Sequence, residues 1–370
     1  MTPLRDLIVT TLQEPAVTRG LTASDWDLLI RQGRSTNLLA KLGFQLHAHD
    51  QLRQVPRAPR QHLTAAMQMA RRQDDALRWE VTCIAKALAQ VDAKITLLKG
   101  AAYVMAGRKV ASGRTFSDVD ILVPRSALEH TEISLRIHGW QSANHDAYDQ
   151  RYYRQWMHEI PPMRHVRRGT TIDVHHSILP ETARIKINTP AFFGSLVPLP
   201  GQSNLHVLPP ADMFLHSATH LFHEGEFEKG LRDLFDLDAL LHEFGADPLF
   251  WEQLTGRAKA LGLNRPLFYA LRYATALLNA QVPQRVMDAA TEGRPGAAVL
   301  TIMDWCYSRA LRPVHCSTDG MAVRIARFAL YVRSHWIRMP VHLLVYHLGR
   351  KAVLLAKRDE KAKPISDAQT

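Results

Sequence analysis

The stretch Thr96-Leu-Leu-Lys99-Gly100-Ala-Ala-Tyr103, with Arg114-Thr-Phe-Ser117-Asp118-Val119-Asp120-Ile-Leu-Val123 after it, decides the fold. It reads as strand, glycine turn, helix, loop, strand. In the second strand Asp118 and Asp120 stand at i and i+2, and alternation along a strand points both to one face. Adjacent carboxylates repel and raise one another's pKa. Their apolar neighbours Val119, Ile121, Leu122 and Val123 therefore call for a cation to offset the repulsion. Hard oxygen donors of this kind suit Mg²⁺, which takes one or two carboxylates and fills its shell with water and phosphate oxygens. A bare Asp-x-Asp on a solvated strand face is the alternative, and the surrounding residues decide between the two.

Upstream, residues 3–50 read as helical, with Ser24-Asp25 capping a helix from Trp26. Pro56 and Pro59 interrupt the chain, and apolar positions three or four apart predict a long helix over about 60–90. This helical segment, residues 1–92, carries no concentrated chemistry. Lys94–Leu98 is a β-branched, apolar strand ended by Lys99-Gly100. A short helix follows over 101–107, then a flexible basic loop between Gly107 and Gly113 that leads into Arg114. A helix over 126–138 is stopped by Gly139. Residues 164–178 read as a hairpin whose second strand, Thr171-Ile172-Asp173-Val174-His175, sets Asp173 and His175 on one face. The α/β core is thus expected over 93–205.

Beyond the prolines at 198, 200, 209 and 210 the pattern turns helical. Helices are expected over 212–223, 229–243, 248–261, 266–278, 297–309, 321–338 and 341–355. The helical segment spans 206–356, and residues 357–370 form a disordered tail. The fold class is α+β: a small mixed sheet between an N-terminal helical segment and a helical C-terminal half.

Assembled, the core is strand, Lys-Gly, helix, loop, Arg-x-x-Ser-Asp-x-Asp strand, helix, hairpin, Ile-Asp-x-His. It resembles the nucleotidyltransferase superfamily, in particular its poorly characterised bacterial branch. The resemblance rests on Leu97-Leu98-Lys99-Gly100-Ala101-Ala102, Arg114, Asp118-Val119-Asp120-Ile121-Leu122-Val123 and Ile172-Asp173-Val174-His175. His216, His220 and Leu231-Arg232 with Asp236-Leu237 complete it, and it covers roughly residues 90–240. It implies that Asp118, Asp120 and Asp173 bind Mg²⁺ or Mn²⁺ and carry the chemistry, with Asp173 also a candidate base toward an acceptor hydroxyl. It implies nucleotide and phosphate contacts from Lys99, Gly100, Ala101, Arg114 and Ser117, with Gly100 allowing close backbone approach to the triphosphate. The implied reaction moves a nucleoside monophosphate from an NTP such as ATP to an acceptor that is a small molecule, a peptide or a tRNA. Where the wider superfamily has Gly-Ser or Gly-Gly, this chain has Gly100-Ala101 and lacks one hydroxyl, and its Gly100–Asp118 interval is longer. A catalytically silent nucleotide-binding scaffold, or a toxin-like enzyme acting on tRNA, is the alternative.

His175, His216, His220, Arg232 and Asp236 are candidates to stand behind the carboxylates. The i, i+4 spacing of His216 and His220 would suit a zinc hydrolase, but Ser217 occupies the place of the glutamate that should follow the first histidine. Packing beneath the site is their expected role. Arg232 and Asp236 read either as an intrahelical ion pair or as cleft-lining residues.

A net charge of +11 suits a polyanionic partner such as RNA, nucleotide phosphates or an acidic membrane surface. The basic, apolar run from Arg324 to Arg358 is the candidate for an RNA or membrane-surface contact, with a helical pair burying one face as the alternative. Cys83, Cys306 and Cys316 lack the paired spacing of a zinc site and read as reduced, buried residues. With no secretory leader and no transmembrane span in the reading, a cytoplasmic protein is expected.

Overall fold

A computed structural model describes residue 4 and residues 6–143, 147–202 and 204–339. The helix expected over 341–355 and the tail over 357–370 lie outside the described residues. Among the described residues seven strands form one mixed sheet: β1 (Ile95–Leu97), β2 (Asp118–Leu122), β3 (Trp140–Ser142), β4 (Met163–His165), β5 (Thr171–His175), β6 (Val197–Pro198) and β7 (Leu205–Val207). Their order is β3-β4-β5-β2-β1-β7-β6. The α+β expectation holds, with helices flanking the sheet.

At the centre, β2 runs parallel to β5 and antiparallel to β1, and β1 runs parallel to β7. The register sets Asp118 opposite Thr171 and Asp120 directly opposite Asp173. Period two then separates the faces. Val119, Ile121, Ile172 and Val174 are buried in the core, while Asp118, Asp120, Asp173 and His175 line a cleft on the other side. The hairpin of β4 and β5 is as expected. Strands β3, β6 and β7 were not; each has three residues or fewer and is held by its partners. β7 also crosses the expected boundary at 205/206.

One continuous apolar core runs from Leu4 to Leu330 through the N-terminal helices, the sheet and the C-terminal helices. The long helix spans Arg57–Ala87 and meets the helix Leu39–Ala48 at Gly43, where a Cβ would press on Met67. In the C-terminal half the helices Pro248–Leu261 and Met321–Arg338 fall where the sequence puts them, and Gln284–Ala290 is an addition. Among the described residues no helix is long and apolar enough to cross a membrane.

Several local expectations are corrected. The early helix spans Ala23–Ser35 and is capped by Thr22, not Ser24: Thr22 Oγ1 accepts from the Asp25 amide, and the Asp25 carboxylate accepts from the Thr22 amide, the reciprocal capping box. The basic loop at 107–113 is pinned rather than flexible. Its Lys109 amide donates to Glu243, and a Cβ on Gly113 would collide with the backbone of Lys41. Of the cysteines only Cys306 is buried; Cys316 is exposed.

Candidate functional site

The turn after β1 begins the site. Lys99 sits at φ +45, in the left-handed region that a non-glycine residue enters at a cost. The helix Lys99–Met105 starts there, and the Leu98 amide donates to the Asp120 carbonyl, fixing the turn against β2. Gly100 has a specific reason to be glycine: a Cβ would run into the Arg114 guanidinium and the Phe116 ring. In this structure its bare backbone admits those two side chains, where sequence reasoning gave the space to a triphosphate.

A cleft of about 460 Å³ opens over the polar face of β2 and β5. Lys99, Gly100, Arg114, Ser117, Asp118, Asp120, Asp173, His175, His220, Arg232 and Asp236 all line it, so the structure brings together most of the expected residues. Ala101 is buried in the core behind the turn. His216 is buried as well and reaches only a small cavity beneath the cleft, between Lys99 and Arg338.

Asp120 is the hub. Lys99 Nζ and His175 Nε2 each lie 3.1 Å from its Oδ1. Burial alone would raise its pKa, but Lys99 and His175 outweigh burial and hold the carboxyl well below the usual range. Burial likewise pulls Lys99 down, and Asp120 and Glu224 more than reverse it. Asp173, one strand away, has no such cation. Its Oδ1 is buried without a hydrogen-bond partner. Burial first, then the charges of Asp120 and Glu159, push its carboxyl up to about 7.

The opposite wall is a closed ionic network. Arg114 Nε donates to Asp236 Oδ2 at 2.7 Å, and Lys41 Nζ lies 3.3 Å from Asp236 Oδ1. Arg232 turns to Asp233 at 2.6 Å rather than to Asp236 four residues on. Asp236 is thus tied across the fold while Arg232 pairs with its neighbour in the same helix, and both residues face the cleft. Tyr103 and Ser217 share a hydroxyl–hydroxyl hydrogen bond of 2.6 Å beside them.

Sequence reasoning missed Glu159, His158 and Glu224. Glu159 Oε2 sits 3.2 Å from His175 Nδ1, so that histidine is held between two carboxylates. Glu224 pairs with His220 at 2.7 Å, an i, i+4 spacing that was legible. The zinc-hydrolase pattern asks for a glutamate directly after His216, and Glu224 does not stand there. His223, by contrast, is turned into the core, and burial pushes its pKa down to about 3.

A family model described as an uncharacterised nucleotidyltransferase matches residues 22–279, more than half of the chain. No curated protein and no solved structure matches it.

Proposed function

The chain belongs to this uncharacterised family of nucleotidyltransferases, and from that premise we propose a metal-dependent transfer of a nucleoside monophosphate from an NTP, ATP among the candidates. The acceptor supplies a hydroxyl or similar group. Its oxygen forms a bond to the α-phosphorus, the bond from that phosphorus to the β-phosphate oxygen breaks, and pyrophosphate leaves.

The observation that carries the reading is the register that faces Asp120 with Asp173, two residues from Asp118, inside one open cleft. The unpartnered Asp173 Oδ1 and the repulsion on that carboxyl support a cation at this place. The donors are all carboxylate oxygens, the set Mg²⁺ or Mn²⁺ takes. Their ligand atoms do not all close to within 4.8 Å of one another here, which still suits an ion that uses one or two carboxylates and completes its shell from phosphate and water. Asp118, Asp120 and Asp173 would hold it, and when bound it would neutralise charge on the phosphates.

The chain's own residues do the rest. Lys99 holds Asp120 ionised and stands where a phosphate oxygen can compete for its ammonium. Ser117, exposed at the mouth, offers a hydroxyl to the same phosphates. Arg114 and Asp236 lock the wall, so the nucleotide meets a preorganised surface, as phosphoryl transfer requires. Asp173 accepts the proton that the acceptor hydroxyl gives up.

A second reading, a silent nucleotide-binding scaffold, is favoured by one observation: Lys99 and His175 already occupy Asp120 Oδ1. Pyrophosphate release across a panel of hydroxyl-bearing small molecules, peptides and tRNA separates the two. Transfer predicts metal-dependent release with one acceptor class, reduced about 10³-fold or more by Asp118→Asn with Asp120→Asn. NTP binding with no release from any member of the panel favours the scaffold.

A further inference from the structure

We propose that His158, Glu159 and His175 form a second, nitrogen-rich cation site of the Zn²⁺ class beside the carboxylate cleft. Among the described residues these are the group of three whose ligand atoms all lie within 4.8 Å of one another. They come from two segments that the backbone locks together. Glu159 bridges antiparallel to His175, the Ile160 amide donates to the Val174 carbonyl at 3.0 Å, and the His176 amide donates to the His158 carbonyl at 2.8 Å. The donors therefore project from a fixed frame at the end of β5.

The chemistry of the set points away from Mg²⁺. Two imidazoles and one carboxylate suit Zn²⁺, which takes His nitrogens and carboxylate oxygens at about 2.0–2.2 Å and stands with three protein ligands and an open position. Donor atoms around such an ion are separated by about 3.4 Å, as those bond lengths require. His175 Nδ1 and Glu159 Oε2 already stand 3.2 Å apart. His158 stacks at a tilt on His175, ring centroids 5.3 Å apart.

Two further observations fit a ligand here. His158 is 7% exposed, and its Nδ1 is buried with no hydrogen-bond partner, a costly state for a ring nitrogen in the interior. The other nitrogen of His175, Nε2, bonds Asp120 Oδ1 at 3.1 Å. That is the carboxylate–imidazole arrangement which fixes the tautomer of a metal-bound histidine and leaves Nδ1 facing the ion. Occupancy of this site then fixes the ring that holds Asp120, so Zn²⁺ would set the geometry of the neighbouring carboxylate. The site stands independently of nucleotidyl transfer.

The test is titration of the metal-stripped full chain with Zn²⁺ against a chromogenic chelator, repeated with Co²⁺ for its visible absorption. The expected result is micromolar or tighter binding that excess Mg²⁺ does not displace. His158→Gln and Glu159→Gln should each weaken Zn²⁺ by about tenfold or more. Asp118→Asn with Asp173→Asn should leave it within about threefold, since neither residue ligates the ion. Circular dichroism checks the fold of each variant, and either single variant carries the test if the other fails to fold. Absence of Zn²⁺ binding by the wild-type chain overturns the proposal. So does binding that survives both single substitutions, or that is lost with the aspartates instead.

Discussion

Two aspartates of one cleft have opposite surroundings. Asp236 has both carboxylate oxygens engaged, one by Arg114 and the other by Lys41. Burial works against its charge, but Arg114, Lys41 and Arg232 outweigh it and lower the pKa. Asp173 faces Asp120 across parallel strands, keeps an orphaned oxygen, and is pushed up to about 7. The first belongs to a finished structure, because its partners Arg114 and Lys41 come from two distant parts of the chain and leave neither oxygen unpaired. The second keeps one oxygen unpartnered among like charges. The difference separates a buried charge that the fold satisfies from one that it leaves repelled.

Breaking the closed side should cost the most stability. Asp236→Ala leaves the Arg114 guanidinium 9% exposed and without its carboxylate. The expected loss is about 3–5 kcal/mol in urea unfolding, the range for orphaning a buried charge. A loss under about 1 kcal/mol would mean that Arg114 finds water or Asp233 instead, and the contrast between the two walls would fail.

The open side should respond with the opposite sign. Asp173→Asn removes a repelled carboxylate and is expected to stabilise the metal-free protein at pH 8 by about 1–3 kcal/mol. The pH dependence follows from the raised pKa. In the unfolded chain the carboxyl ionises near 3.9, whereas in the fold it keeps its proton to about 7. Its contribution to stability is therefore fully present below about pH 4 and is lost as pH rises through 7. Thermal melts of wild type and Asp173→Asn should coincide below about pH 4, separate progressively between about pH 4 and 7, and keep a constant gap above that, the variant melting higher. Adding Mg²⁺ with nucleotide should close or reverse the gap by stabilising only the wild type.

The smallest effect calibrates the other two. Arg31 and Asp27 form an i, i+4 pair on the surface, with side chains 54% and 63% exposed. Arg31→Ala should shift stability by less than about 0.5 kcal/mol and become silent in high salt. A larger change would show that exposed pairs matter here as much as buried ones.

Much of this was legible in the chain itself. Alternation in Asp118-Val119-Asp120 and Ile172-Asp173-Val174 assigns each residue to a face, and that assignment survives intact because it depends only on strand geometry. Helices Pro248–Leu261 and Met321–Arg338 were equally plain, each opening just after an Asp or Gly and carrying its own apolar stripe. What escaped depends on contacts distant in sequence. Lys41 reaches Asp236 across 195 positions, and no local pattern announces it. Strands β3, β6 and β7 are too short to show a period and exist because β4, β7 and β1 respectively supply their partners. Glu159 joins the site only through its bridge to His175. Thr22 with Asp25 three residues later is the reciprocal capping pattern, and it competes in the sequence with Ser24-Asp25 for the same helix start.

The most direct measurement is calorimetric titration of each NTP with Mg²⁺ into the wild-type chain and into Asp118→Asn/Asp120→Asn. The account predicts binding that requires the metal, shows a preferred base, and disappears in the double variant while its fold persists. Nucleotide binding of equal strength without Mg²⁺, or undiminished in the double variant, would contradict the assignment of the carboxylate cleft.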